Sequence, residues 1–381
     1  MQQFNFLEKL LNYEPAGDRV ISVYLNTGPN ETGKKDFEIF LRKQINEHAG
    51  VLEADSPERE AYDAAAEKID TFVEQLDPAT KGAAFFVSVG SDGLSERFEF
   101  AIPFDQNAFE MSDRPALHSA MRLVSENPVF AVIAADTNSA HIYVFKRGQT
   151  INVEDIQNTK TNRTEVGGWS QMRYQRHIDN FHQQHAKEVI AEAEKLCRDE
   201  KIDRVILSGD EAVIIPMLKG ELSKEMSEKV IGALSLNVST PENEIMEAAA
   251  ELIREKEVEF DVSKVENLME QNYDKGLGIT GVEKTLIALM NGQVQELYIA
   301  SDPTQIVYNR SDLRQVLKAY EPGEDGELPE AAERDAVIEE LLRRAAGTAD
   351  NIRFISDPHL LKTHGGVGAL LRYRAEGVAG V

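Results

Sequence analysis

The 381-residue chain has one cysteine, Cys197, and one tryptophan, Trp169. A single cysteine excludes a disulfide framework and a cysteine-based zinc site within one chain. Cys197 falls in an apolar helical stripe and reads as a buried thiol. No apolar run reaches the length of a membrane span. The N-terminus, M-Q-Q-F-N-F-L-E-K, lacks the basic-then-apolar layout of a signal peptide. The expected location is cytoplasmic. Cations are also scarce: 41 Lys and Arg stand against 66 Asp and Glu, a net charge of −25. Such a balance argues against a nucleic-acid partner for the chain as a whole, but average charge does not fix local charge.

Locally the balance reverses. Between Lys160 and Lys187 the basic residues are Lys160, Arg163, Arg173, Arg176 and Lys187, against only Glu165 and Asp179. Within this island lies T-E-V-G-G-W-S-Q, from Thr164 to Gln171. Gly167 and Gly168 allow backbone conformations closed to other residues. Trp169 at the loop tip suits a partner, and Arg173 and Arg176, on the first turns of a long helix, suit a polyanion. The same pattern also fits a solvated loop whose tryptophan tucks back on its own domain.

At this length two or three domains are expected. The segment 1–126 reads as an α+β unit: a strand over Arg19–Thr27, helices over Phe37–Leu52 and Pro57–Leu76, and strands at Gly82–Val89 and Arg97–Pro103 joined by G-S-D-G. Lys34 and Lys35 beside Gly33 read as solvated. The segment 127–260 opens with a buried strand, Pro128–Asp136, and a hairpin partner, His141–Lys146. The long helix follows, with Ile178, Phe181, Val189, Ala193, Leu196 and Cys197 on one stripe. Strands at Asp203–Asp210 and Lys229–Leu236 and a helix over Pro241–Lys256 complete an α/β layer domain. The segment 261–381 shows a helix in Gly281–Gly292, a strand at Glu296–Asp302, an acidic Pro/Gly loop at Glu321–Glu330, a helix over Ala331–Ala346, a strand at Asn351–Ser356 and a glycine turn into a last strand, Gly365–Arg374. Its glycines read as tight packing.

His177, His182 and His185 lie on the long helix, but nothing is placed to complete a zinc site with them. They read as surface or interface donors, and no metal or other cofactor is expected. A nuclease reading would need clustered carboxylates, and only Asp136 is suitably placed.

Four motifs in order carry a family resemblance over Pro128 to the end: the Gly-Gly loop entering a long helix, V-I-L-S-G-D, Y-D-K-G-L-G-I-T-G-V-E-K-T-L-I-A-L (Tyr273–Leu289), and G-G-V-G-A-L-L-R-Y-R (Gly365–Arg374). The chain resembles the archaeal and eukaryotic class-I peptide release factors and their relative pelota, and within that superfamily its bacterial branch. The resemblance implies α/β and α+β domains, three in number. The central one is ribonuclease-H-like, and the C-terminal one is of the kink-turn-binding ribosomal-protein type. It implies a ribosomal A-site ligand acting on peptidyl-tRNA, with a translational GTPase as a candidate partner.

Two departures bear on the activity. The release factors carry Gly-Gly-Gln uninterrupted, whereas Trp169 and Ser170 here separate Gly168 from Gln171. That spacing is similar to the VLRF-type tRNA hydrolases that act on stalled ribosomes. The first segment also lacks the Asn-Ile-Lys-Ser codon-reading motif, so the resemblance implies a codon-independent role in ribosome rescue. By it Gly167, Gly168 and Gln171 would be catalytic, and Trp169, Arg173, Arg176, Lys160 and Arg163 would hold RNA. The hibernation factor Balon, a relative that occupies idle ribosomes without releasing peptide, implies the alternative of a non-catalytic A-site occupant.

Overall fold

The computed structural model describes residues 2–15, 17–28, 35–90, 93–146, 149–157, 169–273, 275–309, 311–313 and 334–374. The chain divides into two compact units, Met1–Glu126 with Phe260–Val381, and Asn127–Glu259. The first and third segments, expected as separate domains, therefore fall in one unit.

In that unit the first sheet comes from 1–126. Its strands are β1 (Arg19–Asn26), β2 (Gly82–Val89), β3 (Ser95–Phe100) and β4 (Ala108–Ser112), in the order β3-β2-β1-β4 and antiparallel throughout. β1 and β2 are apolar runs of β-branched and aromatic residues buried on both faces, as a central strand requires. One face is covered by α2 (Phe37–Ala49) and α3 (Pro57–Glu74), which follow the short α1 (Glu8–Leu11). α3 starts where its sequence says it must: Ser56 accepts a hydrogen bond from the Arg59 backbone N–H, and Pro57 takes the first helical position. The other face packs on Phe4, Leu7 and Leu10 and on α4 (His118–Glu126). β3 was expected to run to Pro103 but ends at Phe100, and β4 and α4 went unread.

The central unit holds β5 (Phe130–Ala135), β6 (Ser139–Lys146), β7 (Gln149–Gln157), β8 (Val205–Ser208) and β9 (Val230–Leu234), in the order β7-β6-β5-β8-β9. β5, β6 and β7 form an antiparallel meander, and β8 and β9 run parallel to β5. This is a mixed α/β sheet, as expected for the segment. α5 (Trp169–Asp199), α6 (Ile214–Glu221) and α7 (Lys224–Lys229) pack on one face, and α8 (Glu242–Glu270) on the other. Ala186, Val189, Ile190, Ala193, Leu196 and Cys197 of α5 are all buried. Each of the larger apolar side chains contributes about 1.5–3 kcal/mol.

α8 runs past the expected helix end at Lys256 and crosses the expected boundary near residue 260, where the two units divide. No glycine or proline interrupts Glu242–Glu270, so the helix continues through it. Ile245, Ala249 and Ile253 are buried in the central unit, whereas Val265 and Leu268 join the core of the other unit. There Asp261 accepts a hydrogen bond from Arg353 at 2.9 Å, and the Arg353 guanidinium lies 4.4 Å from the centre of the Phe260 ring.

The third segment contributes β10 (Gly278–Thr280), α9 (Val282–Met290), β11 (Val294–Ala300), α10 (Arg334–Thr348), β12 (Asn351–Ile355), α11 (Pro358–Leu361) and β13 (Val367–Leu371). Its sheet order is β10-β13-β11-β12, with only β11 and β12 parallel. One buried cluster runs from Phe4 and Tyr24 of the first segment to Val282, Leu341 and Val367 of the third. The acidic stretch Glu321–Glu330 lies outside the described residues, as do Gly33 and Lys34; Lys35 is exposed.

The glycine turn before β13 bears out its packing role. Gly366 has φ +74°, and a Cβ there would lie 2.6 Å from the Gln305 carbonyl oxygen. Gly366→Ala is therefore expected to cost about 2 kcal/mol or more, read as a lower denaturation midpoint with an unchanged slope. A midpoint equal to the parent's would remove the packing account of this turn.

Candidate nucleic-acid interface

The site expected from the sequence lies between β7 and α5. Lys160, Arg163, Gly167 and Gly168 lie outside the described residues. Trp169 does not sit at a loop tip: it is the first residue of α5, and Gln171, Arg173 and Arg176 follow within the first helical turns. Nothing after Gly168 breaks a helix, so winding begins there. The first N–H groups of a helix have no intrahelical partner, and the helix dipole makes this end positive. The backbone N–H at Gln171 is one of these donors.

α5 reaches well past the sheet. β7 ends at Gln157, paired with Ser139, and Ser139 follows the turn at the end of β5. His185 hydrogen-bonds the backbone of that same Ser139. The helix has about sixteen further residues on the N-terminal side of His185, or about 24 Å at 1.5 Å per residue. Of these, Asn180, Gln183 and Gln184 are exposed. This N-terminal arm of α5 thus precedes the Ser139 anchor and ends at the helix N-terminus.

Helical register divides the arm. Positions 169, 173 and 176 fall within about 60° of one another, and 187 continues their line. Lys187 on that line is exposed. Position 171 lies about 160° from 169, in line with Val189 of the core stripe. The basic positions and the glutamine position thus occupy opposite sides of one helix, a division that the run of letters did not reveal.

Of the histidines, His185 differs from expectation, while the side chain of His177 lies outside those described. His185 is 1% exposed, because its position continues the core stripe beside Ala186 and Val189. Burial lowers its pKa, opposed by the Ser139 hydrogen bond and by Asp136. It anchors α5 to the β5–β6 turn. Asp136 is a turn residue, its carboxylate accepting from the N–H groups of Asn138 and Ser139, both at 2.7 Å. Among the described residues no group of three or more His, Cys, Asp or Glu is placed to hold a metal ion. No described helix is long and apolar enough to cross a membrane.

Residues 115–254, which contain the arm and the whole central sheet, match the family model described as bacterial archaeo-eukaryotic release factor family 10. Peptide chain release factor subunit 1 of Methanopyrus kandleri is 22% identical over 307 residues, spanning 78% of this chain and 73% of that one. Both matches are to proteins of the release-factor kind, which this chain resembles. Solved structures of the superfamily align along most of the chain. Dom34 of S. cerevisiae, a translation termination-like factor interacting with Hbs1, aligns with 78% of this chain and 82% of its own at 12% identity and a TM-score of 0.40. Ribosome-bound archaeal Pelota, from a model with ABCE1, aligns with 98% and 95% at 16% identity and a TM-score of 0.36. At such scores the structural likeness carries no argument of its own.

A second cluster, unread in the sequence, lies where the first and third segments meet. Glu339 of α10 accepts hydrogen bonds from the backbone N–H groups of Leu117 and His118, at 2.8 and 2.7 Å, and so caps α4. Glu110, Asp335, Tyr24 and His118 line the adjoining cavity of about 30 Å³, room for a water molecule. Burial pushes the Glu339 carboxyl up to about 8, opposed by the two N–H donors and reinforced by Glu110 and Asp335. A carboxyl raised on folding stabilises most when protonated. Its contribution is full below the ordinary value of 4.5 and is lost as pH rises towards about 8. Glu339→Gln is expected to flatten the fall in stability across that window, measured by urea denaturation at a series of pH values. An unchanged profile would assign the fall to other groups.

Proposed function

We propose that this protein enters the ribosomal A site and hydrolyses the peptidyl-tRNA ester in codon-independent ribosome rescue. The observation that carries the reading is the start of α5 at Trp169, which puts the Gln171 N–H among the first-turn donors that have no intrahelical partner. Ester hydrolysis needs a placed water and stabilisation of the charge that develops on oxygen. Glutamine is too weak an acid or base to move the proton, so its part is geometric. The Gln171 N–H donates to the developing oxyanion or the leaving 3′-oxygen, and its side chain confines the water. Gly167 and Gly168 let the chain approach an RNA-lined site. Arg173 and Arg176 hold phosphates, with Lys160 and Arg163 extending the cationic surface. Trp169 stacks on a base, worth about 1–3 kcal/mol.

The likeness to release factors supports a ribosome-associated role in translation, with a translational GTPase as a candidate partner. Segment 1–126 supplies no codon-reading motif. The two residues between Gly168 and Gln171 favour a second reading, a hibernation factor that fills the A site without chemistry. The two are separated by hydrolysis of labelled peptidyl-tRNA on ribosomes with an empty A site, alongside a binding measurement. Release by the parent protein supports rescue. Tight binding without release across ribosome states overturns it.

A further inference from the structure

Two of the motifs in the third segment converge at one end of its sheet. β10 pairs with β13, so the loop before Gly278 and the residues after Leu371 lie side by side. Arg374 donates from Nη2 to the carbonyl oxygens of Tyr273 at 3.1 Å and Gly278 at 3.4 Å. The loop is internally braced: the Gly276 N–H donates to the Tyr273 carbonyl at 2.9 Å, and the Gly278 N–H to that of Gln271 at 2.9 Å.

The braced loop leaves large side chains in water. Tyr273 is 58% exposed, Leu277 38% and Tyr373 51%. The Tyr273 ring nevertheless has a seat. A Cβ on Gly276 would lie 2.7 Å from ring atom Cε1 and 2.0 Å from the Gln271 carbonyl oxygen, so only glycine fits beneath it. The ring is therefore held by backbone while more than half of the residue remains open, which lowers the entropy lost when something stacks upon it. Lys275 beside it is exposed and makes no ion pair among the described residues, and Arg372 and Arg374 are exposed nearby. The intervening Asp274 lies outside the described residues.

We propose that this end of the sheet is a second RNA-docking surface, where Tyr273 stacks on an unpaired nucleotide of ribosomal RNA and Lys275 and Arg374 hold its phosphates. A fixed aromatic face flanked by cations is what unstacked bases require, and it tolerates any base. In a chain of net charge −25 a cation–aromatic cluster fits a polyanion better than it fits an acidic protein's own surface. The ribosome as the source of the RNA rests on the function proposed above; the chemistry of the surface does not.

The test uses the full chain carrying Arg173→Glu and Arg176→Glu, which silences the α5 face, and a fluorescent single-stranded RNA of about ten nucleotides. In that background Tyr273→Ala is expected to weaken RNA binding about tenfold, and Tyr273→Phe to stay within about twofold, since stacking needs the ring and not the hydroxyl. Lys275→Glu should lower the slope of log affinity against log salt by about 0.7. Equal affinity of Tyr273→Ala and its background overturns the proposal, as does an equal loss in Tyr273→Phe. Loss of ribosome retention by Tyr273→Ala with unchanged RNA affinity would mean that the surface meets a protein, and the RNA assignment would fall. If the arginine pair leaves ribosome association untouched while Tyr273→Ala abolishes it, the α5 reading fails and this one stands.

Discussion

Gln171→Pro is expected to slow peptidyl-tRNA hydrolysis by about 10²–10³-fold, the usual cost of one oxyanion donor, while ribosome binding stays near the parental level. The substitution is informative because of where α5 begins. Gln171 is the third residue of the helix, and proline is tolerated in a first turn, where its missing N–H breaks no intrahelical bond. Proline there removes the donor and the side chain together and leaves the arm in place. Gln171→Ala removes only the side chain, so a smaller loss is expected, with residual rate from the backbone donor. The order parent, alanine, proline is the signature of a backbone-assisted mechanism. Release by Gln171→Pro at the parental rate would end the catalytic assignment.

The largest effect on association is expected from Arg173→Glu combined with Arg176→Glu. By register the two positions share one side of α5 with Trp169 and Lys187, and each charge-assisted contact to phosphate is worth about 1.5–3 kcal/mol. Losing both should weaken ribosome binding about a hundredfold or more. The salt dependence should fall with it, the slope of log affinity against log salt dropping by about 1.5. Sedimentation with ribosomes across a salt series measures both quantities. A double variant that sediments like its parent would show that α5 is not a docking surface.

The sequence made the elements legible where local chemistry determines them. β2 is a run of apolar residues buried on both faces, and α3 carries its own cap and proline. What escaped was non-local. The N-terminus of α4 is capped by Glu339, more than two hundred residues away in sequence, so no start signal stands next to it. β4 is half-buried along most of its length and shows no alternation to read. His185 looked like a surface donor because histidine is polar; its position in the core stripe of α5 decided otherwise. At the candidate site the sequence reading names the glycines, the glutamine and the basic residues, of which Lys160, Arg163, Gly167 and Gly168 lie outside the described residues. The opposite placement of Gln171 and the arginines was not legible, because it depends on the residue at which the helix starts.

The buried Cys197 has a practical consequence. Burial pushes its thiol up to about 11, and only 1% of the residue is exposed. At neutral pH it is protonated and shielded, a state in which thiols do not react. The protein thus provides a silent background for site-directed labelling: a cysteine introduced on an exposed surface would be the one thiol to accept a maleimide dye. A dye at Lys187 would report the approach of α5 to the ribosome without any native cysteine having to be removed.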